Sequence, residues 1–330
     1  MSFSDIIALF RTPIGHFTLP TNRTFWLYLA SSFILAIVLQ RSSLPNREDG
    51  QTNLFKRIFP RSVYTHRSAI VDYIYFITNS ILYAFILAPF FALSPSVSAN
   101  LVAVFSVLGE PCELIVASPL AATIVVTIVM TFVADFGTFL GHYLMHKIPV
   151  LWEFHKVHHS AEVMTPMTVY RMHPLDDIFT IVIGGILLGV ADGVIRFFVT
   201  PAPSQYLLHG LGLVTFLFYI FGYNLRHSHV WVSYGKTVSK FLISPAQHQI
   251  HHSVARRHWD KNFGFVFAVW DWIFGSLYVP QRYEKLEFGL GTGEEREYSS
   301  PLRLYLLPFV KIGRRWLGKA ISLRSRVGNR

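Results

Sequence analysis

Hydrophobic residues are concentrated in five long runs, and polar segments separate these runs. The runs cover 24–40, 68–93, 119–141, 178–199 and 206–223. An α-helix needs about 20 mostly apolar residues to cross a hydrocarbon core about 30 Å thick. The pattern therefore predicts five membrane-spanning helices, and the sequence TPAPSQ at 200–205 predicts a tight hairpin between the last two.

The polar segments differ in charge, and this difference orients the predicted helices. Segment 41–67 carries six basic residues against two acidic ones, and 94–117 has no lysine or arginine. From residue 224 onward, 17 basic residues face 7 acidic ones. Because basic segments stay on the cytoplasmic side, we expect 41–67, 142–176 and the C-terminal region to share that side, with 94–117 opposite.

Composition supports a membrane protein and excludes several other classes. Of 330 residues, 52% are hydrophobic and 15% are charged, whereas about a quarter of the residues in a typical soluble domain are charged. Cys112 is the sole cysteine, which excludes an intramolecular disulfide and a thiolate-rich zinc site. The first 23 residues lack a secretory signal pattern, so we expect an N-terminal anchor that inserts directly. The net charge of +10 indicates contact with anionic lipid rather than nucleic acid.

Three clusters of histidines carry the candidate chemistry. The sequence HYLMH contains His142 and His146, HKVHH contains His155, His158 and His159, and HQIHH contains His248, His251 and His252. Residues three or four apart lie on one face of a helix, which is how a helix presents two imidazoles to one metal. A tetrahedral zinc takes four ligands, so eight imidazoles imply two metals. Imidazole binds zinc, copper, iron and nickel, so the ligand type alone does not identify the metal.

These clusters resemble the three histidine boxes of the fatty acid hydroxylase and sterol desaturase superfamily, which are integral membrane diiron oxygenases. TVYRMHPLDD, LRHSHV and DKNFGFVFAVWDWIFGSLYVP are also similar to bacterial members, so the resemblance covers roughly 131–280. It implies two iron ions held by the histidines of the boxes, O2 as co-substrate, and no catalytic residue beyond the metal ligands. It also implies a lipid substrate from the bilayer and a separate electron donor, ferredoxin-like or cytochrome-like.

Other residues near the boxes are candidate ligands or partners of ligands. By resemblance His227 occupies the position of an isolated ligand, but His229 stands where the family usually has asparagine, so either of the two could bind metal. His173, His258 and Asn262 also fall in family motifs and could be ligands, partners of ligands or structural residues.

Asp135 lies two helical turns before His142 in an otherwise apolar run. A carboxylate at such a position is costly unless it is used. It is therefore predicted to accept a hydrogen bond from a ligating histidine, directly or through a chain of hydrogen bonds.

Together these observations predict an all-α fold, a polytopic membrane helical bundle with a cytoplasmic, histidine-rich diiron cap. Its predicted parts are an N-terminal segment at 1–23, a transmembrane region with the first two boxes at 24–224, and a cap with the third box and a basic tail at 225–330. The histidine boxes of this multi-pass protein should lie on the cytoplasmic side.

A lipid hydroxylase is the favoured function, and two alternatives remain. Acid–base groups cannot open a saturated C–H bond, so a histidine-rich redox metal pair beside lipid indicates oxygen activation. Desaturation of a lipid or sterol begins with the same hydrogen abstraction. A membrane metal-binding or transport protein is the second alternative, since histidine-rich loops also occur there. A zinc hydrolase is disfavoured because HExxH and GxSxG are absent from the sequence, and the absence of GxGxxG indicates that electrons come from another protein.

Overall fold

The computed structural model describes residues 12–42, 53–110, 114–115, 118–200, 204–205, 207–208 and 211–327. A short helical segment at 12–18 precedes the longer helices. Helices α1 to α13 are, in chain order, Trp26–Ser42, Leu54–Ile58, Arg61–Tyr64, Arg67–Ile86, Leu93–Leu108, Pro119–Lys147, Pro149–His159, Pro174–Phe198, Leu213–Ile220, Gly235–Val238, Pro245–His251, Val269–Ile273 and Pro301–Val327. Short 3-10 turns lie at Ala88–Ala92, Pro166–Tyr170, Tyr223–Leu225, Arg256–His258 and Glu294–Glu297.

The fold is all-α, as the sequence predicts. Within the described ranges, β structure is limited to two-residue strands and isolated bridges. Strand β1 (Leu114–Ile115) pairs in parallel with β2 (Val199–Thr200), and β3 (Leu207–Leu208) pairs antiparallel with β4 (Leu211–Gly212). These pairs tie together segments between helices.

Four helical stretches are long and apolar enough to cross a membrane. They are Arg67–Ile86, Ala88–Leu108, Pro119–Lys147 and Pro174–Phe198. Helix α1 is also apolar but shorter. Large apolar side chains on these helices point outward, as shown by Val107, which is 87% exposed, and Leu120, which is 70% exposed. Apolar surface turned outward over whole helices is what a bilayer covers, which agrees with the predicted integral membrane protein.

The predicted loop at 94–117 is wrong, because most of it is helix α5. With the preceding turn, α5 forms the apolar stretch Ala88–Leu108. Its serines resemble loop residues in the sequence, but Ser96 and Ser106 each donate to the carbonyl oxygen four residues earlier. A hydroxyl satisfied by its own helix can remain in an apolar environment.

Helices α4 and α5 run one after the other alongside α8, in the same direction as α8. They do not form a hairpin with each other. Tyr83 near the end of α4 donates a hydrogen bond to Asp177 in the first turn of α8. Farther along, α5 packs against the second half of α8, and β1, which follows α5, pairs in parallel with β2, which follows α8. The chain therefore reaches residues 109–118 at the end of the bundle opposite the start of α8.

The predicted spanning helix at 206–223 is also wrong. Among the described residues of this range, the only α-helix is the eight-residue α9. It is about 12 Å long at 1.5 Å per residue and too short to cross a bilayer. The antiparallel pair of β3 and β4 interrupts the apolar run before α9. Residues 201–203 of the predicted hairpin lie outside the described residues.

Close packing of α5 on α8 depends on glycines in α8. Gly185, Gly189 and Gly193 recur every fourth residue and face α5. A Cβ atom at Gly189 would lie 2.6 Å from the carbonyl oxygen of Ser94 and 2.6 Å from Cβ of Val97. Small residues at this spacing let helix backbones approach each other in a membrane.

We expect Gly189→Ala to separate α5 from α8 and lower stability, since overpacking typically costs about 1–3 kcal/mol. Thermal unfolding of the detergent-purified protein, followed by size-exclusion chromatography, measures the effect. Gly184→Ala is the matched control, because a Cβ atom at Gly184 meets no atom within 4 Å. Equal unfolding temperatures for the two variants would contradict the proposed packing.

Candidate metal centre

The first two histidine boxes lie on consecutive helices that share one end of the bundle. His142 and His146 occupy the last turns of α6, and Pro149 begins α7 two residues after α6 ends. Proline suits the first helical turn because its missing N–H would have no helical partner there. Helix α7 packs back against α6, so the second box faces the first.

The third box lies on the short helix α11, which begins with a capping box. The Ser244 hydroxyl accepts a hydrogen bond from the backbone N–H of Gln247, and the Gln247 side chain accepts one from the backbone N–H of Ser244. Such reciprocal bonds satisfy two N–H groups at the helix start. All seven residues of α11 are buried, so the cap fixes a short helix inside the protein.

Nine histidines meet in two adjacent groups. The first group, site A, comprises His142, His146, His155, His159 and His251. The second group, site B, comprises His158, His227, His248 and His252. Within each group the potential ligand nitrogens all lie within 4.8 Å of one another. Each group could therefore hold one metal ion.

The HxxHH pattern explains how two boxes supply both sites. In the second box, His155 and His159 are four residues apart and both enter site A, while His158 enters site B. The third box is reversed: the pair four residues apart, His248 and His252, enters site B, and the remaining His251 enters site A. Neighbouring residues on a helix point in different directions, so adjacent histidines are divided between the sites.

Site A fits a metal ion because all five of its Nε2 atoms are buried without a hydrogen-bond partner among the described residues. Three of its rings are oriented through Nδ1. His142 donates to the carbonyl oxygen of Phe263 at 2.9 Å, His251 donates to that of Lys261 at 2.8 Å, and His155 donates to Asp176 at 2.6 Å. Donation from Nδ1 leaves the lone pair on Nε2, the arrangement found in metal-ligating histidines.

Site B has closely spaced nitrogens but a different protonation pattern. Its Nε2 atoms are 3.0 Å apart for His227 and His248, 3.2 Å for His248 and His252, and 3.3 Å for His158 and His227. The buried guanidinium of Arg226 donates to Nδ1 of His248 at 2.9 Å. A neutral His248 therefore carries its proton on Nε2, and binding a metal through that atom would release the proton.

Burial favours the neutral form of six of these rings. It lowers the pKa of His251 to about 3. Burial also lowers the pKa well below the ordinary value for His158, His159, His227, His248 and His252. Neutral imidazole is the form that binds metal ions, so burial favours the metal-binding charge state of these six histidines.

Of the candidate histidines outside the three boxes, the structure places His227 in a metal site and His229, His173 and His258 elsewhere. His227 lies in site B, whereas Nε2 of His229 donates to the carbonyl oxygen of Arg57 at 2.8 Å, outside both sites. His173 caps α8 and donates to the carbonyl oxygen of Tyr305. His258 lies 3.1 Å from Glu284. Of these four histidines, only His227 is placed to bind metal.

Among the described residues, Asp135 accepts a hydrogen bond from no histidine, so the predicted direct bond to a ligating histidine is wrong. Its carboxylate accepts hydrogen bonds from the backbone N–H groups of Val266 and Phe267 and from the indole N–H of Trp270. These hydrogen bonds attach residues 266–270, which follow the third box in the chain, to α6. Phe263, three residues before Val266, supplies the carbonyl oxygen that orients His142. Asp135 therefore helps to hold in place the segment that orients this histidine.

Asn262 and Asp271 shape the same segment. The Asn262 side chain donates to the carbonyl oxygen of Gln247 on α11 and accepts from the backbone N–H of Tyr278. Asp271 accepts from the backbone N–H groups of Phe263 and Gly264. Asn262 therefore positions the third box without touching either metal site.

A buried ion pair, which the sequence did not reveal, holds the second box in place. Arg171 and Asp72 are 2.7 Å apart, and their side chains are 1% and 0% exposed. Arg171 also donates to the carbonyl oxygen of Val157 and to Ser160. Asp72 was visible only as a charge interrupting an apolar run. The pair joins α4 to the end of α7, which carries His158 and His159.

Two cavities reach the histidines from opposite directions. The outer cavity, of about 390 Å³, is lined by Trp152 and Trp259 together with histidines of both sites. The inner cavity, of about 90 Å³, also contacts both sites and extends to Thr138 on α6 and Thr180 on α8. The inner cavity lies toward α6 and α8, which are long and apolar enough to cross a membrane, and the outer cavity lies toward Trp259 and residues 289–294.

The comparisons with known proteins cover the part of the chain that carries this centre. Residues 127–276 match the model of the family described as fatty acid hydroxylase. Alkylglycerol monooxygenase of Caenorhabditis elegans is 28% identical over 150 residues, which are 46% of this chain and 26% of that protein. Ornithine lipid hydroxylase OlsE of Rhizobium tropici is 28% identical over 144 residues, 44% of this chain and 39% of that protein.

Human alkylglycerol monooxygenase is 30% identical over 145 residues, 44% of this chain and 28% of that protein. The chain thus spans well under half the length of each of these relatives. No solved structure matches the chain. Residues 127–276, the part of the chain that matches the fatty acid hydroxylase family, hold every histidine of sites A and B.

Proposed function

We propose that the chain is a membrane-bound, oxygen-dependent diiron monooxygenase that hydroxylates a carbon atom of a lipid. The observation that carries the proposal is the pairing of sites A and B, nine histidines whose potential ligand nitrogens converge in two groups. When bound there, two iron ions would supply the redox chemistry that activates O2 for attack on a saturated C–H bond. The names of the relatives and the family model support an oxygen-inserting enzyme.

The balanced reaction defines what the protein must provide. One C–H bond, one O2, two electrons and two protons give one C–OH group and one water molecule. The electrons would come one at a time from a separate reduced ferredoxin-like or cytochrome-like protein. That donor would approach from the side of the outer cavity, where Trp152 lies 4.8 Å from His146 between ring centroids.

The protein's own residues orient the ligands and shield them from bulk water. Asp176 and the carbonyl oxygens of Phe263 and Lys261 direct three Nε2 atoms into site A. Fixed orientation of this kind lowers the cost of reorganisation during the reaction. The inner cavity would admit a lipid from the bilayer to the same histidines, so a membrane substrate is favoured over a soluble one.

A lipid or sterol desaturase of the same superfamily remains the alternative activity, because it would use the same centre and differ in the placement of the substrate carbon. A metal transporter is less well supported. Transporters hold their substrate near the bilayer midplane, whereas sites A and B lie at the ends of α6 and α7 and on α11.

We expect two iron ions per chain after anaerobic purification with iron(II), since sites A and B each collect four or more imidazoles. Elemental analysis combined with Mössbauer spectroscopy measures the stoichiometry and the coupling of the ions. His229→Ala is the control, because His229 lies outside both sites. A single tightly bound zinc, with activity that does not require iron, would contradict a diiron centre.

The proposed topology places both metal sites on the cytoplasmic side, on the basis of the basic segments. Single cysteines in a Cys112-free background test it through labelling with a membrane-impermeant reagent. Positions 150 and 256 should label from the cytoplasm and position 110 from the opposite side. Labelling of 150 and 256 from different sides would rule out one shared centre.

A further inference from the structure

We propose that a third cavity, beside helix α1, binds a lipid whose apolar body carries a hydroxyl group. The cavity has a volume of about 310 Å³ and lies between α1, residues 58–64 and residues 224–230. Among the described residues, none that lines it is a histidine, and none lines the inner or the outer cavity. The bound lipid would therefore be a resident of the protein and not a molecule that reacts at the metal centre.

Most of the lining of this α1 cavity is apolar. Ala36, Leu225 and Val230 are buried in its wall, and the exposed rings of Phe33 and Phe59 lie 5.9 Å apart between centroids at its edge. Sites for small apolar ligands typically measure about 300–1,000 Å³ and contain only a few polar groups. Because the exposed side of α1 is apolar, a lipid could enter the cavity from the bilayer.

Two polar side chains interrupt the apolar lining, and each has an atom without a hydrogen-bond partner. Ser32 and Asn224 line the cavity and are 3% and 2% exposed. Among the described residues, neither the Ser32 hydroxyl nor Oδ1 of Asn224 finds a partner. Nδ2 of Asn224 donates to the carbonyl oxygen of Arg23 at 3.2 Å, which fixes Oδ1 as the unpaired acceptor. Buried polar atoms are costly when unpaired, so this pair indicates a ligand that bonds to both.

A hydroxyl group matches these two atoms. Oδ1 of Asn224 can only accept a hydrogen bond, so the ligand must donate one, which excludes ester, ether and ketone groups. The Ser32 hydroxyl can donate to the same ligand oxygen in return. Among the described residues, no charged side chain lines the cavity, so a phosphate or ammonium headgroup would lack a counter-ion. Long-chain alcohols and sterols share the required chemistry.

The bound lipid would connect α1 to the segment that carries a ligand of site B. Asn224 belongs to the 3-10 turn Tyr223–Leu225, against which α1 packs. His227 follows this turn by two residues. A ligand that binds only the folded state stabilises it, so occupation of the α1 cavity would hold the turn in place.

Photocrosslinking locates the lipid on the iron-loaded protein in phosphatidylcholine nanodiscs. The probes are hexadecanol and cholesterol with a diazirine on the apolar body, and tandem mass spectrometry identifies the labelled residues. We expect labelling within 29–36 and 224–230, and competition by the matching unlabelled alcohol at least about tenfold stronger than by hexadecane. Labelling by hexadecanol alone identifies a long-chain alcohol, and labelling by cholesterol alone identifies a sterol. Labelling confined to outward-facing residues, or equal competition by hexadecane, would overturn the inference and leave water as the partner of the two polar atoms.

Two variants test the hydroxyl and the cavity separately. Ser32→Ala should weaken competition by the alcohol about threefold to tenfold, the effect of one hydrogen bond. Ala30→Phe should fill the cavity and remove its labelling, while labelling of outward-facing residues persists. Ser31→Ala is the matched control, because Ser31 bonds to the carbonyl oxygen of Tyr28 and does not line the cavity. Equal competition in the two serine variants, or unchanged cavity labelling in Ala30→Phe, would contradict the assignment.

Discussion

Alanine at His158 or His251 is expected to abolish formation of the hydroxylated lipid, with a loss of more than about 100-fold. His158 belongs to site B and His251 to site A, so each change removes a candidate ligand from a different site. Loss of a residue that merely orients a ligand typically costs 10–100-fold, and loss of the ligand itself should cost more. Mass spectrometry of lipids from cells expressing each variant measures the product.

The control for this experiment is His229→Ala. His229 is near the centre in sequence but bonds to the backbone of Arg57, so its loss should leave product formation largely intact. A wild-type product heavier by one oxygen atom supports hydroxylation, and one lighter by two hydrogen atoms would identify a desaturase. If the lipids do not differ between cells with wild-type protein and cells with either histidine variant, a metal-binding role becomes the better explanation.

Removing Arg171 should produce a large loss of stability. The guanidinium is buried against Asp72 and bonds to the end of α7. Arg171→Ala would leave an unpaired buried carboxylate, a type of change that typically costs about 3–5 kcal/mol. Thermal unfolding of the metal-free protein and iron retention of the loaded protein should both fall, because α7 carries three of the nine histidines.

A double variant separates the ion pair from simple loss of volume. Asp72→Leu combined with Arg171→Met removes both charges and retains apolar bulk, so it should be more stable than Arg171→Ala. Arg196→Ala is a control on the exposed side of α8, where Arg196 pairs with Asp192. The buried pair would have no special role if Arg171→Ala unfolded at the same temperature as Arg196→Ala.

The sequence predicted the ligand-bearing helices well because histidine spacing and apolar periodicity are local signals. The extension of the third apolar run through His142 and His146 is confirmed by α6. Division of each HxxHH box between two sites could not be predicted, because it depends on the angle at which α7 and α11 meet. That angle is set by tertiary packing, which a one-dimensional pattern does not contain.

The errors in the predicted spans have a similar physical origin. The serines of α5 look polar in a hydropathy reading, but the hydroxyls of Ser96 and Ser106 bond within the helix and that of Ser98 donates to Asp192 at 2.6 Å. Asp135 carried a correct signal, a carboxylate in an apolar run, but its partners are backbone N–H groups at 266 and 267 and the indole N–H of Trp270, all more than 130 residues away. Only the fold could reveal partners so distant in the sequence.

The attachment of the third-box segment to Asp135 has a consequence for biosynthesis. The first box and the third box are separated by about 100 residues, and a ribosome adding about 5–20 residues per second needs roughly 5–20 s to make that length. During this interval the first two boxes are already synthesised, while His248, His251 and His252 do not yet exist. Neither site can gather its full set of ligands until the last segment docks on α6, so metal loading would follow insertion of the helices into the membrane. This order would keep redox-active iron from occupying a half-formed, solvent-accessible site in the nascent chain.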